Sequence, residues 1–129
     1  MESVMGLDQY AYRVSSKYDY ETVTETIVKK EIHYWRKHNA LQGWMENLWV
    51  INTGKEIMDF NCEEMRLTME DLKQLEKCVI NQTLPKTEGF FYGSDTSRDE
   101  TRKEDDLEFI KKAMGAIRDG EQVFYSCSW

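Results

Sequence analysis

No stretch of this chain approaches the roughly 18 consecutive apolar residues that a membrane-crossing helix needs. The opening MESVMGLDQY also lacks the basic and apolar segments of a secretory leader. A soluble protein working inside a cell, with no membrane partner, is therefore expected. The cysteines, Cys62, Cys78 and Cys127, are odd in number and form no C-x-x-C pair, which argues against a disulfide framework and for reduced thiols in a cytoplasm. The two histidines, His33 and His38, stand five apart, the wrong interval for two ligands on one helical face. No metal site and no cofactor is expected.

Internal repeats, low-complexity runs and a domain linker are all missing, and the single proline, Pro85, falls beyond the end of a helical segment. The 129 residues suffice for one core and not for two, so residues 1–129 are expected to form a single domain. There is no unbroken acidic face of the kind that imitates DNA, and no basic face that would bind it. The 24 acids and 17 bases are well mixed, and the net charge of −7 favours solubility rather than a particular partner. No G-x-x-x-x-G-K-S/T phosphate loop is present. Candidate nucleophile and base pairs, such as His33 with Asp59 or Cys62 with His38, are distant in sequence and nothing ties them together, so no catalytic residue is assigned.

What the chain does have is indole. Residues 31–52, EIHYWRKHNALQGWMENLWVIN, hold three of the four tryptophans and read as one helix. Leu41, Trp44, Met45 and Leu48 fall at i, i+3, i+4 and i+7, the stripe of a helix laid on a core. Trp35, Asn39, Gln42, Glu46 and Trp49 form a second line on another face, so two indoles lie off the main stripe. Burial of a large aromatic contributes about 2 to 3 kcal/mol, and these two therefore call for a second layer, a partner surface or a ligand. Trp44→Ala is accordingly expected to unfold the protein, and Trp35→Ala to spare the fold and damage binding.

Around this segment the alternation of residues 9–15 predicts a strand, SSKYDY a turn, and the β-branched residues 21–29 a second strand. Asn52-Thr53-Gly54 ends the central helix. Residues 56–67 suggest one or two short strands with Ile57, Met65 and Leu67 inward. Thr68 caps a helix with Asp71 as its partner, and Leu72, Leu75 and Val79 supply that helix with a core face. The aromatic run GFFYG at 89–93 predicts a short strand followed by a polar loop, which could equally be a mobile loop at the mouth of a site. A third helix over 105–119 presents Leu107, Ile110, Met114 and Ile117, and Gly120 stops it. The terminal EQVFYSCSW predicts a last strand beside the first. The fold class is α+β, an antiparallel sheet packed against about three helices.

The segments Met5-Gly6-Leu7-Asp8-Gln9-Tyr10-Ala11-Tyr12, Tyr34-Trp35-Arg36-Lys37-His38, Leu41-Gln42-Gly43-Trp44-Met45 and Gly89-Phe90-Phe91-Tyr92-Gly93, with the serine and tryptophan ending, carry a resemblance. The chain resembles, over nearly its whole length, a group of small proteins of tailed bacteriophages, notably phages of marine cyanobacteria. These begin M-G-L-D, carry Y-W-R-K and end in a tyrosine, serine and tryptophan strand. Such chains start at the methionine matching Met5, so residues 1–4 read as an upstream start or an added segment. Some members carry the label phosphoglycerate kinase, but that enzyme needs two domains closing on each other, which 129 residues do not supply.

The motifs are specific to the group and silent about chemistry. The resemblance implies a phage protein, and the residues themselves point to a non-enzymatic accessory protein acting in the host cytoplasm that binds a host protein or a small anionic, nucleotide-like ligand. Trp35, Arg36, Lys37, His38 and Asn39 would supply the aromatic face, fixed charges and amide of such a site, with Tyr92 and Arg98 closing over it. The competing expectation for Arg36 and Lys37 is pairing with acids of the third helix. A virion or assembly component would instead use Trp49 and the C-terminal aromatics as a packing surface, and a small enzyme is the third alternative. A homo-oligomer is compatible with each.

Overall fold

The computed structural model describes residues 6–85 and 100–129. In chain order these form β1 (Asp8–Asp19), β2 (Thr24–Arg36), α1 (Asn39–Thr53), a short 3-10 turn (Ile57–Phe60), β3 (Glu64–Leu67), α2 (Met69–Ile80), α3 (Glu100–Arg118) and β4 (Gln122–Ser128). The strands make one antiparallel sheet in the order β2-β1-β4-β3. The α+β class expected from the sequence is therefore the observed one, with the terminal strand beside the first.

The sheet has a covered face and an open one because its strands alternate in register. Gln9 lies opposite Cys127, Ala11 opposite Tyr125 and Arg13 opposite Val123, while Met65 and Leu67 face Tyr125 and Val123 from β3. Apart from Arg13, all of these are buried, under the helices. The other face carries Tyr10, Tyr12, Tyr34 and Phe124, none of them fully buried. Two of its rings, Tyr10 and Tyr34, meet across β1 and β2 with centroids 5.2 Å apart.

Local signals behave as the residues dictate. Thr68 caps α2 in a reciprocal box with Asp71: the Asp71 N–H donates to the Thr68 hydroxyl and the Thr68 N–H to the Asp71 carboxylate. Leu72, Leu75 and Val79 are that helix's buried line. Gly54 takes the left-handed conformation past α1, with its N–H donating to the Val50 carbonyl. Ile110 and Met114 are buried on α3 as expected, and Phe109, Ala113 and Ala116 join them.

The single helix expected over 31–52 is corrected. Residues 31–36 continue β2, Lys37 turns the chain with φ +55°, and α1 starts at Asn39. Pairing with β1 decides the matter: Tyr34 lies opposite Tyr10, Trp35 opposite Gln9 and Arg36 opposite Asp8, and tertiary pairing overrides a weak local preference. Two sequence signals favoured this outcome. No Ser, Thr, Asp or Asn precedes Glu31 to cap a helix there, and Ile32 to Trp35 is a β-prone run.

The consequence for Trp35 is large. It points into the core from a strand, 1% exposed, with Phe109 edge-on at 4.7 Å. On α1 itself the second line, Asn39, Gln42, Glu46 and Trp49, is buried beside Leu41 and Met45, while Trp44 and Leu48 are only partly buried. Gln42 and Glu46 can occupy the inward line because buried hydrogen-bond partners meet them there.

Three smaller expectations also change. Ser16 to Asp19 extend β1 and the turn falls at residues 20–23. Ile57 sits exposed in the 3-10 turn rather than inward. The strand expected at 89–93 lies outside the described residues. As β4 pairs with β1 only as far as Val14, the far part of the β1–β2 hairpin projects as a two-stranded arm.

These positions reverse the expected ranking of the tryptophans. Trp35→Ala is predicted to cost about 3 to 5 kcal/mol, the usual range for emptying a core indole site, and Trp44→Ala clearly less. Equilibrium urea denaturation of both variants checks the order.

Candidate functional site

The residues singled out between Trp35 and Asn39 do come together, but inside the protein. The Trp35 indole N–H donates to Asp106 Oδ1 at 3.0 Å, and His38 Nε2 lies 2.7 Å from Asp106 Oδ2. His38 and Asp106 side chains are 1% and 2% exposed. Gln9 clamps the His38 backbone from β1: its Nε2 donates to the His38 carbonyl and its Oε1 accepts the His38 N–H. The same Nε2 contacts the Tyr125 hydroxyl, which donates to Gln42 Oε1 at 2.5 Å. Gln42 Nε2 then reaches Glu46 and the Cys127 thiol. This is a satisfied interior network joining both central strands, α1 and α3. Its histidine and carboxylate are directed at each other rather than at a cleft.

The expected stacking face is thus corrected. Trp35 is core, His38 and Asn39 are buried, and Trp49 lies flat on Phe60 with centroids 4.7 Å apart while its indole donates to the Glu56 carbonyl. His33 pairs with Asp105 and His38 with Asp106, so neither catalytic pair considered from the sequence is the one formed. Tyr92 and Arg98 lie outside the described residues.

Arg36 remains at the surface, where it pairs with Asp8. Asp8 accepts hydrogen bonds from the Tyr34 hydroxyl at 2.6 Å and from Arg36 at 2.7 Å. Arg102 of α3 meets the Arg36 carbonyl instead. Lys37 is exposed, and its backbone N–H donates to the Leu7 carbonyl. A side chain at Gly6 would sit 3.0 Å from the Arg36 guanidinium, so glycine there lets the two segments close on each other.

A groove runs between the inner side of β2 and α3. Its volume is about 690 Å³, and its lining holds the cations Arg13, Lys30, Lys111 and Lys112, the carboxylates Glu31, Glu108 and Asp119, and Ile32 and Gly115. Arg13 is held by Glu121 and Asp119, and Lys112 by the Ile32 carbonyl and Glu108. Lys30 and Lys111 have no such partner among the described residues.

Gly115 sits inside a helix, where glycine costs about 1 kcal/mol against alanine. Nothing lies within 4 Å of where its Cβ would be, so packing does not require it. Sequence reasoning missed this site. Glu108, Lys111, Lys112 and Gly115 read as an ordinary solvated helix face, and only the approach of β2 makes them a wall.

The chain matches no known family model, and no curated protein or solved structure is significantly similar to it. Among the described residues, no cluster of His, Cys, Asp and Glu is arranged to hold a metal ion, and no helix is long and apolar enough to cross a membrane.

Two predictions follow from these environments. The hydrogen bond from Tyr34 holds the Asp8 carboxyl below its ordinary value of 3.8, helped by Arg36 and opposed by partial burial. A depressed carboxylate stabilises the fold above the unfolded pKa, and that contribution disappears as pH falls through the folded one. Asp8→Asn is therefore expected to lower stability at neutral pH, with the gap in urea midpoint shrinking as pH falls below the ordinary carboxyl value of 3.8. Burial pushes the Cys127 thiol up to about 12, while Cys62 is exposed. Iodoacetamide at neutral pH should alkylate Cys62 in the native protein and Cys127 only once it is unfolded, as intact mass spectrometry would report.

Proposed function

We propose that this chain is a non-enzymatic accessory protein of a tailed phage, acting in the host cytoplasm, and that it binds a small phosphate- or carboxylate-bearing ligand in the β2–α3 groove. The resemblance of the Gly6–Tyr10, Tyr34–His38 and C-terminal segments to small phage proteins supports the first part. The observation that carries the second is the pair of uncommitted ammonium groups, Lys30 and Lys111, lining a groove whose other cations are already held. Gly115 keeps the floor between them clear.

The groove has no aromatic wall among its lining residues, so charge rather than base stacking would provide recognition. The net charge of −7 opposes an anion only over short range, because physiological salt screens exposed charges beyond about 8 Å. Water-exposed ionic contacts contribute up to about 1 kcal/mol each. Two of them, from Lys30 and Lys111, would give a Kd on the order of 30 mM, a weak and salt-sensitive site.

Calorimetry and NMR titration with inorganic phosphate, mononucleotides and cyclic dinucleotides test the reading. Lys30→Glu with Lys111→Glu is expected to abolish binding and leave the melting temperature within a few degrees of the parent. Gly115→Ala should raise the melting temperature and weaken binding, since one methyl group improves the helix and fills the floor. Absence of any groove response to every one of these anions would remove the ligand half of the proposal. Mass spectrometry of purified particles tests the other half, with the chain expected to be missing from the virion.

A further inference from the structure

Among the described residues β2 ends the sheet, and one edge of its 13 residues has no strand beside it. Near the body that edge is capped: Lys112 donates to the Ile32 carbonyl and Arg102 to the Arg36 carbonyl. From Thr24 to Lys30 no such cover exists among the described residues. This stretch belongs to the projecting arm, which carries Tyr20 at 84% exposure, Val23 at 72% and Ile27 at 68%. A two-stranded hairpin standing alone is marginally stable in water, and a bare edge rich in β-branched residues is a template for another strand.

We propose that this edge joins two copies of the chain about a two-fold axis, β2 against β2 in antiparallel register, continuing the sheet across the dimer. Charge selects the second copy as the occupant. A two-fold axis perpendicular to the sheet keeps each face continuous, so residues of like parity meet. Glu25, Ile27, Lys29 and Glu31 share the open face, opposite Tyr18, Ser16, Val14 and Tyr12 of β1. Centred on Ile27, the pairing sets Ile27 against its own copy and Glu25 against Lys29 on both sides. Centred on Val28 it would oppose Glu25 with Glu31, and centred on Lys29 it would oppose the two lysines.

Of these three registers the Ile27 one alone is self-complementary in charge, and the lysines that would repel a slipped or foreign strand become part of the match. Lys29 already pairs with Glu64 and sits over the Tyr12 ring at 4.2 Å. Its three donors leave capacity for a second carboxylate. Glu25 and Lys29 project on the face opposite the anion groove, so this interface stands or falls independently of the ligand proposal.

Sedimentation equilibrium on the full chain tests it. The wild type is expected at twice the 15.4 kDa chain mass. Glu25→Lys and Lys29→Glu each oppose like charges at both contacts and should weaken the dimer at least about tenfold, with far-ultraviolet circular dichroism spectra like the parent's. Mixing these two variants restores opposite charges at both contacts, and a heterodimer should form where neither protein dimerises alone. The double variant carrying both changes should dimerise again. A wild type that stays monomeric up to its solubility limit, a dimer indifferent to both single changes, or failure of the mixture to associate would each overturn the proposal.

Discussion

The side chain of Gln9 holds the backbone of His38 by both its N–H and its carbonyl, and the architecture converges on this contact. An amide in this position imitates one more residue of strand pairing just where β2 has ended and Lys37 has turned the chain away. His38 is also the residue from which α1 starts, its carbonyl accepting the Gln42 N–H at 3.0 Å. The contact therefore fixes where a strand stops and a helix begins. Because Gln9 is fully buried, leaving any of these groups unmade would cost about 1 to 3 kcal/mol apiece, so the junction has little freedom.

From that contact the polar interior spreads to every major layer. Tyr125 brings in β4, Gln42 and Glu46 bring in α1, and Asp106 brings in α3 through Trp35 and His38. A core with this much polarity is vulnerable to partial satisfaction, because a low dielectric strengthens made hydrogen bonds and penalises missing ones alike. Replacing a buried pair such as His38 and Asp106 with apolar residues need not destabilise a fold, whereas removing one partner does. The network is best understood as specifying a single arrangement of helices on the sheet, with the aromatic contacts of Trp35, Phe109 and Tyr125 supplying the buried area.

The α+β class, the α2 cap, the Gly54 stop and the place of β4 beside β1 were legible in sequence because each rests on a local pattern or on the economy of closing a sheet. The break at Lys37 was not, because it depends on a pairing thirty residues away. Once Tyr34, Trp35 and Arg36 are counted in a helix, Trp35 looks surplus to the core, and a binding face appears where none exists. Polar letters on α1 misled in the same way. Gln42 and Glu46 look like a solvent line until Tyr125 and Cys127 are placed against Gln42, and neither is near in sequence.

One lesson about distinctive sequence follows from where those residues went. Gly6 gives room to Arg36, Leu7 and Lys37 share a backbone bond, Asp8 receives Tyr34 and Arg36, and Gln9 holds His38. Two separated segments that look like a recognition signature are thus each other's partners, and much of the chemistry that suggested a ligand is used within the fold. Groups still able to act on another molecule must be sought among residues that the fold does not use. Arg13 illustrates the contrast with its neighbours, since a rigid guanidinium braced by two carboxylates shapes the groove without being free in it. Lys30 and Lys111, compact charges on flexible stems, are held by nothing in the described chain, so their field acts on whatever enters.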